Sequence, residues 1–189
     1  MTNFEQKYKQ YKTKYYKLKT QMGGELDLSK LTPSFDSGDG NEQVKKRLAI
    51  LEKVNSEANN ENYMEIFKQL YDKDAVIRMA NGPIIKGIDE NIKEMKKMYD
   101  MAPDVKIEKN IVQFGSGNWI AVDQIMTGTF TGQSSGPLEG LNIKKIQPNG
   151  KKFRMETCSL LEWKDNKIIQ EINFWDNSKF MEQLGIKEI

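Results

Sequence analysis

The chain has 189 residues, with 29 Lys and Arg against 27 Asp and Glu, one cysteine and no histidine. That length holds one compact domain plus a tail. Without histidine there is no Ser-His or Cys-His nucleophile system and no usual His/Cys zinc set, so any proton transfer falls to a carboxylate, Lys or Tyr. The lone Cys158 excludes an internal disulfide, fits a reducing compartment and reads as a small core residue in mid-strand. No stretch approaches a membrane span, and the lysine-studded amino end lacks the apolar core of a secretory signal, which points to a cytoplasmic protein.

Residues 1–22 place Phe4, Tyr8, Tyr11, Tyr15, Leu18 and Met22 at alternating steps of four and three, an apolar seam on a helix. Six lysines against Glu5 make this arm basic and leave the rest of the chain slightly acidic. Three readings are open: a solvated helix, a short coiled coil, or an anchor on nucleic acid or another anionic surface. Residues 23–41 have a linker composition, with Gly23, Gly24, Pro33, Gly38 and Gly40 among serines and aspartates. The domain is expected from residue 42 to 189.

Val44, Leu48, Leu51 and Val54 form one stripe of a first domain helix, and Tyr63, Ile66, Phe67 and Leu70 belong to a second. A strand over Ala75 to Met79 ends at Ala80-Asn81-Gly82-Pro83. A third helix follows, with Asp89 as its expected cap and Pro103 beyond its end. Val105 to Phe114 and Trp119 to Phe130 read as strands around a Gly115–Asn118 hairpin, and residues 132–149 as a glycine-rich loop. In the last pair of strands, Phe153, Met155, Thr157, Ser159, Leu161 and Trp163 share one parity, and Ile168 to Trp175 follows an Asp165-Asn166 turn. Asn177 or Ser178 is the expected cap of a closing helix that Gly185 stops. Helices first and consecutive strands after argue α+β, with helices on one face of a strongly curved, mostly antiparallel sheet. Closed into a cone, such a sheet offers a small-molecule pocket. Asp176, where strand passes to helix, is a candidate functional acid at the rim of the core.

Several motifs carry a resemblance: Tyr63 to Leu70, Gly87, Pro103-Asp104, Gly128-Thr129, Gly150-Lys151, Lys167-Ile168, Glu171, Asp176 and Gln183-Leu184-Gly185. With these, residues from about 43 to 187 resemble the SnoaL-like polyketide cyclases and ester cyclases of the nuclear transport factor 2-like superfamily. The resemblance implies a cone-shaped α+β barrel, an aldol-type ring closure of a polyketide ester without metal or cofactor, and a homodimer through an apolar outer sheet face. It gives the acid-base role to Asp176 and makes a small apolar or aromatic molecule the partner. Candidate binding residues are Trp119, Asp123, Arg154, Glu156, Trp175 and Tyr63. Two departures stand out: Asp123 replaces the family's usual Arg, and Phe130 replaces the histidine of a GTH motif. Arg154 or Lys152 would then polarise the carbonyl, or Arg154, Glu156 and Asp176 would mimic the water-activating Asp-Arg-Asp set of related epoxide hydrolases. The alternative is a non-catalytic ligand-binding or dimerisation module tethered by the basic arm. Residues 11–24, YKTKYYKLKTQMGG, resemble an amino-terminal stretch that recurs in proteins of giant, mimivirus-like DNA viruses, which implies host cytoplasm or virion.

Overall fold

Strands β4 (Lys106–Ser116), β5 (Trp119–Thr129), β6 (Lys152–Lys164) and β7 (Lys167–Trp175) run as a consecutive antiparallel meander. The computed structural model describes residues 34–36, 42–59, 61–79, 82, 84–133 and 147–186. They lie in one compact unit, Pro33–Ile189. The basic arm and residues 134–146 of the expected loop lie outside the described residues. Before the meander come β1 (Ser34–Asp36), β2 (Tyr71–Arg78) and β3 (Ile84–Lys86). The sheet order is β1-β4-β5-β6-β7-β2-β3. The β1–β4 and β2–β7 pairs are parallel and the other four antiparallel. The fold is α+β as expected. The sheet does not close into a barrel, however: β1 and β3 stand at open edges.

Four helices are described: α1 (Glu42–Glu57), α2 (Tyr63–Leu70), α3 (Ile88–Met101) and α4 (Asn177–Leu184). Val44, Leu48 and Leu51 of α1, Tyr63 and Leu70 of α2, and Ile88, Ile92 and Tyr99 of α3 enter one core. They meet Ile120, Val122, Phe153, Met155 and Leu161 of the sheet there. Strict alternation along β6 puts Phe153, Met155, Thr157, Ser159, Leu161 and Trp163 in the interior, as the period-two pattern implies. The described helices therefore cover one sheet face and leave the other open along most of its length; Ile125, on that second face, is fully buried.

Several boundaries differ from the sequence reading. Ser34–Asp36, inside the expected linker, pairs with Val112–Phe114 as an edge strand. β2 begins at Tyr71, directly after α2, four residues earlier than expected. The residue capping α3 is Gly87, at φ 86 and without a side-chain cap bond, so Asp89 falls in the first turn instead. Helix α4 is capped by Asp176, whose carboxylate accepts from the Lys179 N–H at 2.9 Å, in place of Asn177 or Ser178. Gly185, at φ 70, closes that helix in the left-handed conformation that glycine adopts without cost. Asp165 takes φ 54 in the β6–β7 turn, as an Asp-Asn turn allows.

Candidate functional site

Between the helices and the covered sheet face lies a cavity of about 230 Å³. Its walls are mostly apolar: Leu51 and Val54 of α1, Phe67 and Leu70 of α2, Met95, Met98 and Tyr99 of α3, and Val122, Met126, Met155, Leu161 and Trp175 of the sheet. Register sets its polar floor. Leu161 pairs with Glu171, Ser159 with Asn173, and Thr157 with Trp175. Gln124 and Val122 of β5 flank Thr157 and Ser159 on the other side. Residues two apart on a strand share a face. Gln124, Thr157, Ser159, Asn173 and Glu171 therefore make a polar band across an apolar bowl.

Glu171 is the chemically distinctive member. The Tyr71 hydroxyl donates to its Oε2 at 2.5 Å. Two features hold Tyr71 in place: its ring stacks on Phe67 with centroids 5.1 Å apart, and the end of α2 is tied to β7 by Lys167, whose ammonium donates to the carbonyls of Lys68 and Gln69. Loss of water around Glu171 pushes its carboxyl above the ordinary range, against opposing hydrogen bonding led by Tyr71. The same desolvation, with the nearby Glu171 charge, holds the Tyr71 phenol well above its usual value. Ser159 in turn donates to Asn173 Oδ1 at 2.6 Å. At the α1 side, Asn55 Nδ2 donates to Asn110 Oδ1 and Gln124 Oε1, both at 3.0 Å. Two residues of the lining each carry a buried atom without a hydrogen-bond partner among the described residues, Asn91 Oδ1 and Thr157 Oγ1. The described residues contain no His, Cys, Asp and Glu grouping able to hold a metal ion.

Of the residues singled out in the sequence, Trp175 lines this cavity and the others do not. Asp176 is exposed, and its carboxylate serves the backbone of α4 as a cap; the last strand ends one residue earlier and hands it to the helix terminus. Arg154 and Glu156 share a face, as alternation requires, but it is the open one. Arg154 is bound there to Glu108 at 3.0 and 3.2 Å. Asp123 lies on the same open face, opposite Cys158 and beside Glu156. Desolvation first, then the Glu156 charge, raises its carboxyl to about 7. Cys158 is partly buried on this face, away from the main core where it was expected. Trp119 is exposed at the β4–β5 turn, and Lys152 is exposed at the start of β6. Tyr63 is buried and stacks on Tyr99 at 4.2 Å, behind the cavity wall. Arg154, Glu156 and Asp176 therefore do not converge on the cavity as a water-activating set.

Sequence reasoning missed Glu171, Tyr71, Asn173, Ser159, Thr157 and Asn91. A signal was present on the strands. Thr157 and Ser159 are polar residues on a parity otherwise apolar from Phe153 to Trp163, and Glu171 and Asn173 are in phase with Trp175. Tyr71 gave none, because it continues the spacing of α2 and reads as one more helical residue.

A family model for the SnoaL-like polyketide cyclases matches residues 49–184. The chain belongs to that family. No curated protein matches it. Among solved structures, the fold is shared with a protein named as a SnoaL-like polyketide cyclase from Jannaschia sp. CCS1 (TM-score 0.63, 14% identity, 76% of this chain and 94% of that one). It is shared with IdmH, named as a polyketide cyclase, from Streptomyces antibioticus (TM-score 0.56, 19% identity, 75% and 98%). It is shared also with AclR of Streptomyces galilaeus, named as a hydroxylase (TM-score 0.59, 16% identity, 75% and 96%). At these identities the likeness shows the fold, and members of one fold carry different activities. The covered face with its cavity is the part of the family fold that the 49–184 match spans.

Proposed function

We propose that this chain is an acid-base enzyme of the cyclase type, with Glu171 as its proton-transfer group and a small apolar molecule as its substrate. The observation that carries the reading is Glu171 itself, a carboxyl raised by desolvation on the wall of an apolar cavity and oriented by Tyr71. A carboxylate in that setting is poised to take a weakly acidic proton. It removes a proton from the carbon beside a carbonyl. The resulting enolate carbon attacks a second carbonyl of the same molecule and forms the ring C–C bond, and the new alkoxide takes its proton back from Glu171. One C–H bond and one carbonyl π bond are exchanged for a C–C and an O–H bond, so the side chains present suffice for the balance. Tyr71 fixes Oε2, and the Asn173–Ser159 pair supplies polar contacts beside it. Asp176 has no part in this chemistry.

The test is deuterium incorporation beside the carbonyl of a two-ring ketone, 1-tetralone, in D2O. The protein is expected to accelerate exchange, and Glu171→Gln to reduce that acceleration at least about 100-fold with an unchanged fold by circular dichroism. Exchange of the same size in Glu171→Gln overturns the reading. Bound tetralone with no exchange favours the alternative, a ligand-binding module without turnover, which the scarcity of cationic groups in the lining supports: Lys106 is the one lysine there among the described residues, and it is exposed.

A further inference from the structure

Tyr71 orients Glu171, and what holds Tyr71 runs back to the strand of Glu171 itself. Helix α2 passes into β2 without a loop. Tyr71 is the C-cap of the helix, with its N–H bonded to the Phe67 carbonyl, and also the first residue of the strand. It pairs with Ile168 of β7, and the register then shifts, so that the next pair is Val76 with Gln170. The ladder is therefore broken directly after Tyr71, and the last turn of α2 sets where its ring lies.

Lys167 grips that turn. Its ammonium donates to the carbonyls of Lys68 and Gln69, which are helix-end acceptors without a partner inside the helix, at the terminus where a cation is favoured. On β7 a bulge separates Lys167 from Glu171: Trp163 pairs with Ile168, Glu162 with Gln170 and Leu161 with Glu171, which leaves Ile169 as the extra residue. Bulges re-aim side chains. Here Ile168 and Glu171, three residues apart, both lie opposite interior positions of β6. One strand thus carries the carboxyl and also the lysine that fixes the end of the helix from which Tyr71 reaches it. Tyr71 leads the groups that favour the charged form of Glu171, and no cation is among them.

We infer that Lys167 is a positioning residue of the site: by holding the end of α2 it keeps the Tyr71 hydroxyl on Glu171 Oε2. The link from Lys167 to Tyr71 stands on the geometry, while its bearing on turnover rests on the proposed acid-base reading.

The test is the titration of the Glu171 carboxyl carbon, followed by 13C NMR in the ligand-free full chain and assigned with Glu171→Gln. Lys167→Met keeps the stem and removes the donor. Its Glu171 midpoint is expected at least about half a pH unit above that of the wild type, because a hydrogen bond to the charged form is weakened. In Tyr71→Phe the same substitution is expected to add nothing, since the hydroxyl it acts through is gone. A lysine that only steadies the fold would lower the urea midpoint and leave the titration in place. An unmoved titration in folded Lys167→Met overturns the inference. So does an equal shift when Lys167→Met is added to Tyr71→Phe, because the lysine would then act by its charge. Lys167→Gln, which loses the charge and much of the reach, is read in the same way if Lys167→Met does not fold. A shifted titration in a protein that exchanges no tetralone deuterium sinks the acid-base reading and leaves Lys167 in its role; exchange in the wild type with an unmoved titration sinks this inference alone.

Discussion

Asp123 and Glu171 are both carboxyls raised by loss of water, yet they sit on opposite faces of one sheet and have different consequences. Asp123 lies between Val112 and Cys158 on the open face, with Glu156 as the acid beside it and Lys109 in the next row across β4, β5 and β6. Burial first, and then both carboxylates, push the Cys158 thiol up as well. The carboxyl of Asp123 rises from 3.8 to about 7 on folding, so across that window the folded chain holds a proton the unfolded chain has released. Stability therefore falls as pH rises from about 4 to about 7, and Glu171 acts with the same sign. Asp123→Asn is expected to flatten that decline and to raise the urea midpoint at pH 8, measured as a midpoint-against-pH series. An unchanged slope in the variant would contradict a raised Asp123 carboxyl.

At the scale of elements, Arg47 joins parts of the chain that are far apart in sequence. It is 5% exposed on α1. Its guanidinium donates to the Gly117 carbonyl at 2.9 Å and to Asp165 O at 3.4 Å, and lies 5.7 Å from the centre of the Trp163 ring. The β4–β5 and β6–β7 turns are thus clamped to one helix, next to the backbone bond from Trp163 N to Asn118 O. Arg47→Met keeps the stem and removes these bonds. It is expected to cost about 2 kcal/mol in urea unfolding, and a loss under about 0.5 kcal/mol would contradict the clamp. Two of the motifs behind the family resemblance also gain a physical reason. A Cβ at Gly128 would stand 2.6 Å from the Phe153 ring. Gln183 accepts from Arg154 N at 2.7 Å and donates to its carbonyl at 3.2 Å, which fastens α4 to β6. The helices and the meander were legible because each has a run long enough to show its period. β1 and β3, of three residues each, have none. The parallel β2–β7 pairing joins segments about a hundred residues apart and leaves no local trace.

For the molecule as a whole, the sheet has one covered face that holds the cavity and one open face. The sequence showed that two parities exist, but which of them the helices cover is a tertiary fact, and for this reason Asp123, Arg154 and Glu156 were placed at the pocket and Glu171 was not. On the open face Phe114, Trp119 and Phe174 are 49%, 39% and 44% exposed. Their rows are joined through Ala121 and Cys158. Exposed aromatics on one sheet face fit a self-complementary contact, and we propose the homodimer that the family resemblance implies. Light scattering is expected to give the mass of two chains, with Phe174→Lys returning one; a wild-type monomer at micromolar concentration would contradict it. The basic arm's association with an anionic surface, and a place in host cytoplasm or virion, remain proposals resting on residues 1–24 of the sequence.

The most direct test of the central claim, that Glu171 held by Tyr71 is the proton-transfer group, is the pH dependence of tetralone deuterium exchange in the wild type and Tyr71→Phe. A base works deprotonated, so the rate should rise with pH through an inflection above the ordinary carboxylate value. Removing the Tyr71 hydroxyl takes a hydrogen bond from the charged carboxylate, so the inflection should move to still higher pH. An inflection that stays in place in Tyr71→Phe, or a protein-dependent rate flat across that range, would contradict the assignment.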